Sequence, residues 1–104
     1  MNNIIEAYTS FIAKSKEAGK KVYLATITPY RNSFYEDHFS EAARLTLNDW
    51  IRANKDVDGV IDFDVAVRDP QNPSALRPEY SDDWLHLTPA GYEAMGKYAA
   101  EALK

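Results

Sequence analysis

Lys21-Val22-Tyr23-Leu24-Ala25-Thr26-Ile27-Thr28-Pro29 is the stretch that decides the fold. Its apolar residues follow one another almost without a break. A half-exposed strand alternates apolar with polar residues, whereas a continuous run closed by a breaker such as Pro29 is what a strand covered on both faces requires. The run therefore predicts a buried strand over Lys21–Thr28. Upstream, Ile4, Ile5, Tyr8, Phe11 and Ile12 recur at helical spacing, with Lys14, Lys16, Glu17 and Lys20 mostly outside the stripe. This predicts a helix over residues 3–18, capped by Asn3 and stopped at Gly19.

Downstream, Tyr30–Tyr35 reads as a polar and aromatic loop, and Phe39, Ala43, Leu47, Trp50 and Ile51 mark a second helix over residues 36–54. Gly59–Phe63 reads as a short second strand. Residues 64–87 contain Pro70, Pro73 and Pro78 and little periodicity, so a long loop is expected, with one helical turn over Asp64–Arg68. Loops of that length inside a small domain usually serve function. Thr88 then caps a last helix, with Pro89 at its first position and Tyr92, Met95, Ala99, Ala102 and Leu103 as its buried stripe.

Helices alternating with doubly covered strands imply a parallel sheet joined by crossovers. The expected fold is α/β and three-layered. Two strands leave one edge of the Val22–Ile27 strand without a partner, and helices cannot pair it. An open apolar edge is a template for another chain.

The chain has 104 residues, 45% of them apolar, which suits one domain over residues 1–104 with a real core. A net charge of -4, with acids and bases interspersed and no basic run, argues against nucleic acid as a partner. No cysteine is present, which excludes disulfides, thiolate metal sites and a cysteine nucleophile without fixing the compartment. No apolar run of membrane-spanning length and no signal-peptide pattern is visible, so no membrane partner is expected.

The chemistry concentrates in Asp83-Trp84-Leu85-His86, followed by Leu87-Thr88-Pro89-Ala90-Gly91-Tyr92. An acid three residues before a histidine, on a loop that feeds a helix, can accept the proton of one imidazole nitrogen. That fixes the tautomer and frees the other nitrogen as a general base. The alternative for such a pair is a helix-entry histidine that merely hydrogen-bonds its neighbour. The chain has no Gly-Asp-Ser, Gly-x-Ser-x-Gly or Gly-x-Asn-Asp segment, so a base is present without an evident nucleophile.

Read in order, Lys21–Tyr30, Leu47-Asn48-Asp49-Trp50-Ile51-Arg52, Asp58-Gly59-Val60-Ile61-Asp62-Phe63-Asp64, Arg68-Asp69-Pro70, Leu76-Arg77-Pro78-Glu79-Tyr80 and Asp83-Trp84-Leu85-His86 resemble the C-terminal portion of the SGNH (GDSL-type) hydrolases. The likeness runs from about Ile4 to Leu103 and is to the branch of GDSL-like lipases and acylhydrolases. A bare Asp-x-x-His is weak, but all these segments in one order are specific. The resemblance implies the C-terminal half of a flavodoxin-like fold and a serine ester hydrolase acting on O-acyl or O-acetyl esters. It implies that His86 deprotonates a serine, that Asp83 orients and stabilises the imidazolium, and that no cofactor or metal is used. Family members carry the serine block and the glycine and asparagine oxyanion blocks before the helix that corresponds to residues 3–18. The chain thus reads as a member that begins just after the third block.

Removing the nucleophile of a serine hydrolase costs on the order of a million-fold in turnover. The chain alone is therefore expected to be inactive. Its expected partner is an N-terminal hydrolase half that supplies the serine. The alternative is a non-catalytic structural or interaction module that self-associates as a homodimer through the open sheet edge.

Other residues have two readings each. Tyr30, Tyr80 and Trp84 either line a substrate cleft at the carboxyl ends of the strands or pack. Asp62 and Asp64 suit a metal or turn and cap duty. Strand alternation would send them to opposite faces and no third ligand is evident, so turn and cap duty is expected. His38 reads as a surface residue. Ser33 and Ser81 lie on loops that could approach the Asp83–His86 face, whereas Ser10 and Ser15 fall within a helix and lack the exposed turn a nucleophile needs.

Overall fold

The computed structural model describes residues 2–31 and 41–103. Helix α1 (Asn2–Glu17) starts one residue earlier than expected, so Asn3 lies within its first turn and does not cap it. It ends in a Schellman turn: Gly19 N–H donates to the Lys16 carbonyl and Lys20 N–H to the Ser15 carbonyl, both at 3.0 Å. Gly19 occupies the left-handed region at φ 73°, which a residue without Cβ enters freely.

The apolar run then forms β1, but only Tyr23–Ala25 pair as strand, and β2 is likewise short at Gly59–Ile61. They are parallel, with Leu24 opposite Val60. Between them runs α2 (Glu41–Ala53); the expected residues 36–40 of that helix, with His38 and Phe39, lie outside the described residues, as does Ser33. Ile12, Val22, Leu24, Leu47 and Ile51 form the buried cluster between α1, α2 and β1, with Tyr8, Trp50 and Val60 packed against it. Tyr8 and Trp50 meet with ring centroids 6.0 Å apart. Each such aliphatic side chain contributes roughly 1.5–3 kcal/mol by leaving water.

Val60 belongs to that cluster, so Gly59 and Ile61 face the other side of the sheet, where α4 (Pro89–Ala102) contacts β2 and a short helix α3 (Phe63–Val67). The helices therefore cover both faces in an α/β arrangement. The apolar stripes overreach, however. Phe11 on α1 is 60% exposed, and Tyr92 and Leu103 at the two ends of α4 are 59% and 55% exposed. Periodicity marks which residues share a helix face; how much of that face meets a neighbour depends on the crossing geometry.

Residues 64–87 are more ordered than a loop. After α3 come an antiparallel hairpin, β3 (Arg68–Asp69) and β4 (Asn72–Leu76), and a 3₁₀ turn at Pro78–Tyr80. Pro73 lies inside β4, a strand of a two-stranded sheet, where proline is tolerated although it argues against a central strand. The hairpin is tied to the segment after β1: Arg31 N–H donates to the Ser74 carbonyl at 3.3 Å and Arg31 Nε to Ser74 Oγ at 2.6 Å.

At the carboxyl ends of β1 and β2 a charged network joins the pieces. Arg44 is fully buried and uses its whole guanidinium. It donates to Glu41 Oε1 and Oε2 (2.7 and 2.6 Å), Asp64 Oδ1 (2.6 Å) and the carbonyls of Ile27 (3.0 Å) and Pro73 (3.3 Å). Burial opposes the charge on Arg44, but its hydrogen bonds to Glu41 and Asp64 outweigh this and hold its pKa above the ordinary value. Asp62 and Asp64 do not diverge as strand alternation would send them. β2 ends at Ile61, Asp62 caps α3 by accepting from Val65 N–H, and both carboxylates converge on Arg52 (2.7 and 2.8 Å). Among the described residues no helix is long and apolar enough to cross a membrane.

Candidate active site

Tyr80 and Thr88 close a loop on itself. Thr88 N–H donates to the Tyr80 carbonyl at 2.7 Å, and Thr88 Oγ1 donates to the Glu79 carbonyl at 3.0 Å while accepting from Gly91 N–H as the α4 N-cap. Pro89 follows at the first helical position, where its missing N–H leaves no bond unmade. Gly91 lets the pieces touch: a Cβ there would sit 2.8 Å from the Tyr80 carbonyl oxygen and 3.0 Å from Leu87 Cβ.

Inside this loop Asp83 and His86 face each other. His86 Nδ1 lies 2.8 Å from Asp83 Oδ2, while Asp83 Oδ1 accepts the backbone N–H groups of Leu85 (2.9 Å) and His86 (2.7 Å). Trp84 makes the turn possible with φ 65°, the one non-glycine residue in the left-handed region among those described. That conformation costs an L-residue about 1–2 kcal/mol, and it turns the next two N–H groups back onto the carboxylate. The side-chain hydrogen bond from His86, then the two N–H groups, hold the Asp83 carboxyl well below the usual carboxylate range.

The consequence for proton chemistry is direct. A carboxylate only accepts, so Nδ1 carries the hydrogen and Nε2 keeps its lone pair. The imidazole side chain is 75% exposed, so Nε2 is open to an incoming hydroxyl. The arrangement can take a proton at Nε2 and stabilise the resulting imidazolium against Asp83.

The remaining candidates separate. Trp84 is half-buried within the dyad's own loop. Tyr80 stacks under the Arg77 guanidinium (5.8 Å) and lines a groove of about 410 Å³ with Ala66, Ala94, Lys97 and Tyr98 against α4. Tyr30 is buried near Arg44 and Glu41 and is not in the wall of that groove. Burial raises its pKa, partly offset by Arg44. A larger groove of about 500 Å³ lies between α1 and α2, lined by Thr9, Lys16, Trp50 and Lys55, with no residue of the dyad loop in its wall. Ser10 and Ser15 lie in α1, and Ser74 accepts from Arg31 and donates to Asn72 Oδ1. Ser81 is buried and donates to the His86 backbone carbonyl (2.5 Å). Among the described residues no group of three or more His, Asp or Glu side chains is placed to hold a metal ion.

The fold has clear relatives among solved structures. A GDSL-like lipase from Bacteroides thetaiotaomicron VPI-5482 superposes with a TM-score of 0.70 at 24% identity over 90% of this chain and 47% of that one. A protein provisionally assigned as an acylhydrolase from Bacteroides fragilis NCTC 9343 superposes with a TM-score of 0.71 at 21% identity over 96% of this chain and 50% of that one. The chain thus spans about half the length of these structures. No curated protein sequence matches it. The sequence model of the GDSL-like lipase/acylhydrolase family matches residues 1–94, and the α/β fold agrees with it. The chain belongs to the GDSL-like lipase/acylhydrolase family.

Proposed function

We propose that the chain is the acid–base half of a serine carboxylic-ester hydrolase, with His86 as general base and Asp83 as its orienting acid, and that it does not hydrolyse esters alone. The observation that carries this reading is the 2.8 Å contact of His86 Nδ1 with Asp83 Oδ2, made by an imidazole whose other face is open. The attacking hydroxyl comes from polypeptide outside these residues, in keeping with a match to only half of each similar structure. The substrate class is an O-acyl or O-acetyl ester, and no cofactor is required.

The open edge of β1 supports this reading. Thr26 N–H donates to the Ile61 carbonyl and Asp58 N–H to the Val22 carbonyl, so the even-numbered residues of this strand point their backbone groups at β2. Those of Tyr23 and Ala25 point the other way, where no strand lies among the described residues. Beyond them the edge is closed: Asn48 accepts from Ile27 N–H (2.7 Å) and donates back to its carbonyl (2.9 Å). A strand from an N-terminal hydrolase half would pair at Tyr23 and Ala25. The same edge favours a second reading, a non-catalytic module that homodimerises there.

The test is hydrolysis of short-chain nitrophenyl esters. The lone chain should turn over no faster than its His86→Ala variant, and adding a polypeptide that carries the serine and oxyanion blocks should restore activity that His86→Ala abolishes. Turnover by the lone chain well above that of His86→Ala refutes the proposal. A chain that is dimeric in solution and gains no activity from any such polypeptide favours the second reading.

A further inference from the structure

Ser81 is not needed for the turn it occupies. Its own N–H closes the 3₁₀ turn onto the Pro78 carbonyl (3.4 Å), and its backbone is extended, so any small residue would serve there. Its side chain is nevertheless buried, with 3% of the residue exposed. The hydroxyl points into the loop, 2.5 Å from the His86 carbonyl oxygen and 3.3 Å from Asp83 Oδ1.

A hydroxyl has one hydrogen. The shorter contact takes it, so Ser81 donates to the carbonyl of the histidine itself, and the carboxylate at 3.3 Å is the weaker, alternative acceptor. The geometry assigns Ser81 as a positioning residue for the Asp83–His86 pair. It fixes the His86 carbonyl, on the far side of Cα from the N–H that meets Oδ1, and so limits rotation of the backbone that carries the ring meeting Oδ2. This role rests on the reading of the pair as a catalytic acid and base, but it is exerted within the loop and needs no nucleophile.

Three features make a pin necessary. Both side chains of the pair are more than half exposed, at 75% and 55%, so water competes for every bond between them. Trp84 holds a left-handed backbone that a bulky residue leaves readily. The loop ends are tied at Glu79, Tyr80 and Thr88, outside the pair. Ser81, itself buried, supplies a part-buried side-chain hydrogen bond that reaches into the loop from its wall.

The measurable consequence is the tautomer of His86. Free histidine prefers the hydrogen on Nε2; a general base needs it on Nδ1. Nitrogen-15 shifts of the imidazole, read on the full chain at alkaline pH, give the ratio of the two forms. The wild type should favour Nδ1–H. Ser81→Ala should lower that ratio on the order of fivefold, the worth of one ordinary hydrogen bond. Ser81→Thr, which keeps the hydroxyl, should recover it. Ser81→Cys, nearly isosteric but a weak donor, should fall between and serves in place of Ser81→Ala if that variant does not fold. A folded Ser81→Ala or Ser81→Cys with the wild-type ratio overturns the assignment. If the wild type itself favours Nε2–H, there is no pair to position, and both this role and the catalytic reading fall. If the ratio behaves as expected but no partner polypeptide restores ester hydrolysis, the catalytic reading falls and the role of Ser81 stands.

Discussion

Replacing Arg44 by methionine tests what holds the two halves of this chain together. Methionine has similar length and no charge, so the perturbation removes donors without opening a large cavity. Five hydrogen bonds disappear. Glu41 side-chain oxygens, 28% exposed, can turn to water, and the Ile27 carbonyl keeps its bond from Asn48. The losses that matter are buried. Asp64, fully buried, loses its partner on Oδ1 and keeps Arg52 (2.8 Å) and Arg68 (3.0 Å) on Oδ2. The Pro73 carbonyl loses its 3.3 Å contact, so β4 loosens from α2.

Breaking one partner of a buried ion pair costs about 3–5 kcal/mol. Two retained arginines on Asp64 place this case at the lower end, about 3 kcal/mol. A chain of this length has roughly 5–15 kcal/mol in all, so the variant should fold but be fragile. With about 1–2 kcal/mol per molar of urea, the unfolding midpoint should fall by roughly 2 M. Arg44→Lys keeps the charge but not the fork, and should recover less than half of the loss because one ammonium cannot serve Glu41 and Asp64 together. Urea titration followed by circular dichroism and by tryptophan fluorescence reads both. An Arg44→Met midpoint within about 0.5 M of wild type would refute the reasoning, and would mean that Leu47 and Ile51 alone dock α2.

Gly91→Ala should destabilise by about 1–3 kcal/mol despite the better helix propensity of alanine, because its Cβ would press on the Tyr80 carbonyl; a neutral or stabilised variant in the same titration contradicts the close approach. Thr88→Ala removes the N-cap of α4 and should cost about 1 kcal/mol, with faster amide exchange in the first turn of that helix as the local signature. Acid should unfold the chain. Burial opposes ionisation of Asp62, but Arg52 and Thr26 outweigh it and hold its carboxyl below the usual range, while His86 and two N–H groups hold Asp83 well below it. Both folded values are depressed, so the unfolded chain binds more protons in acid. Their stabilisation is complete above the unfolded carboxylate value near about 4 and is lost as pH falls through the folded ones. The urea midpoint should be level above about pH 5 and fall below about pH 4; a midpoint that rises on acidification contradicts this.

Two elements show where local reading failed. Pro70 and Pro73 argue against a central strand in the sequence; the fold puts Pro70 in the turn of the β3–β4 hairpin and Pro73 in a strand of this two-stranded sheet, where proline is tolerated. In the sequence Ser81 reads as a loop hydroxyl that could approach the Asp83–His86 face. Its burial and its bond to the His86 carbonyl place it in the wall of that loop, and no spacing rule in the sequence distinguishes the two.

By itself the sequence determined the alternation of helices and strands, the Thr88–Pro89 start of the last helix, the Gly19 stop of the first and the Asp-x-x-His motif. These are local properties: periodicity, caps and backbone preference act within a few residues. Only the tertiary structure decided that Asp62 and Asp64 converge on Arg52, that Arg44 is buried with every donor used, and that Phe11, Tyr92 and Leu103 stay in water. Whether a charge is paired or an apolar side chain covered depends on groups distant in the chain, and their meeting is an outcome of packing that no local window contains.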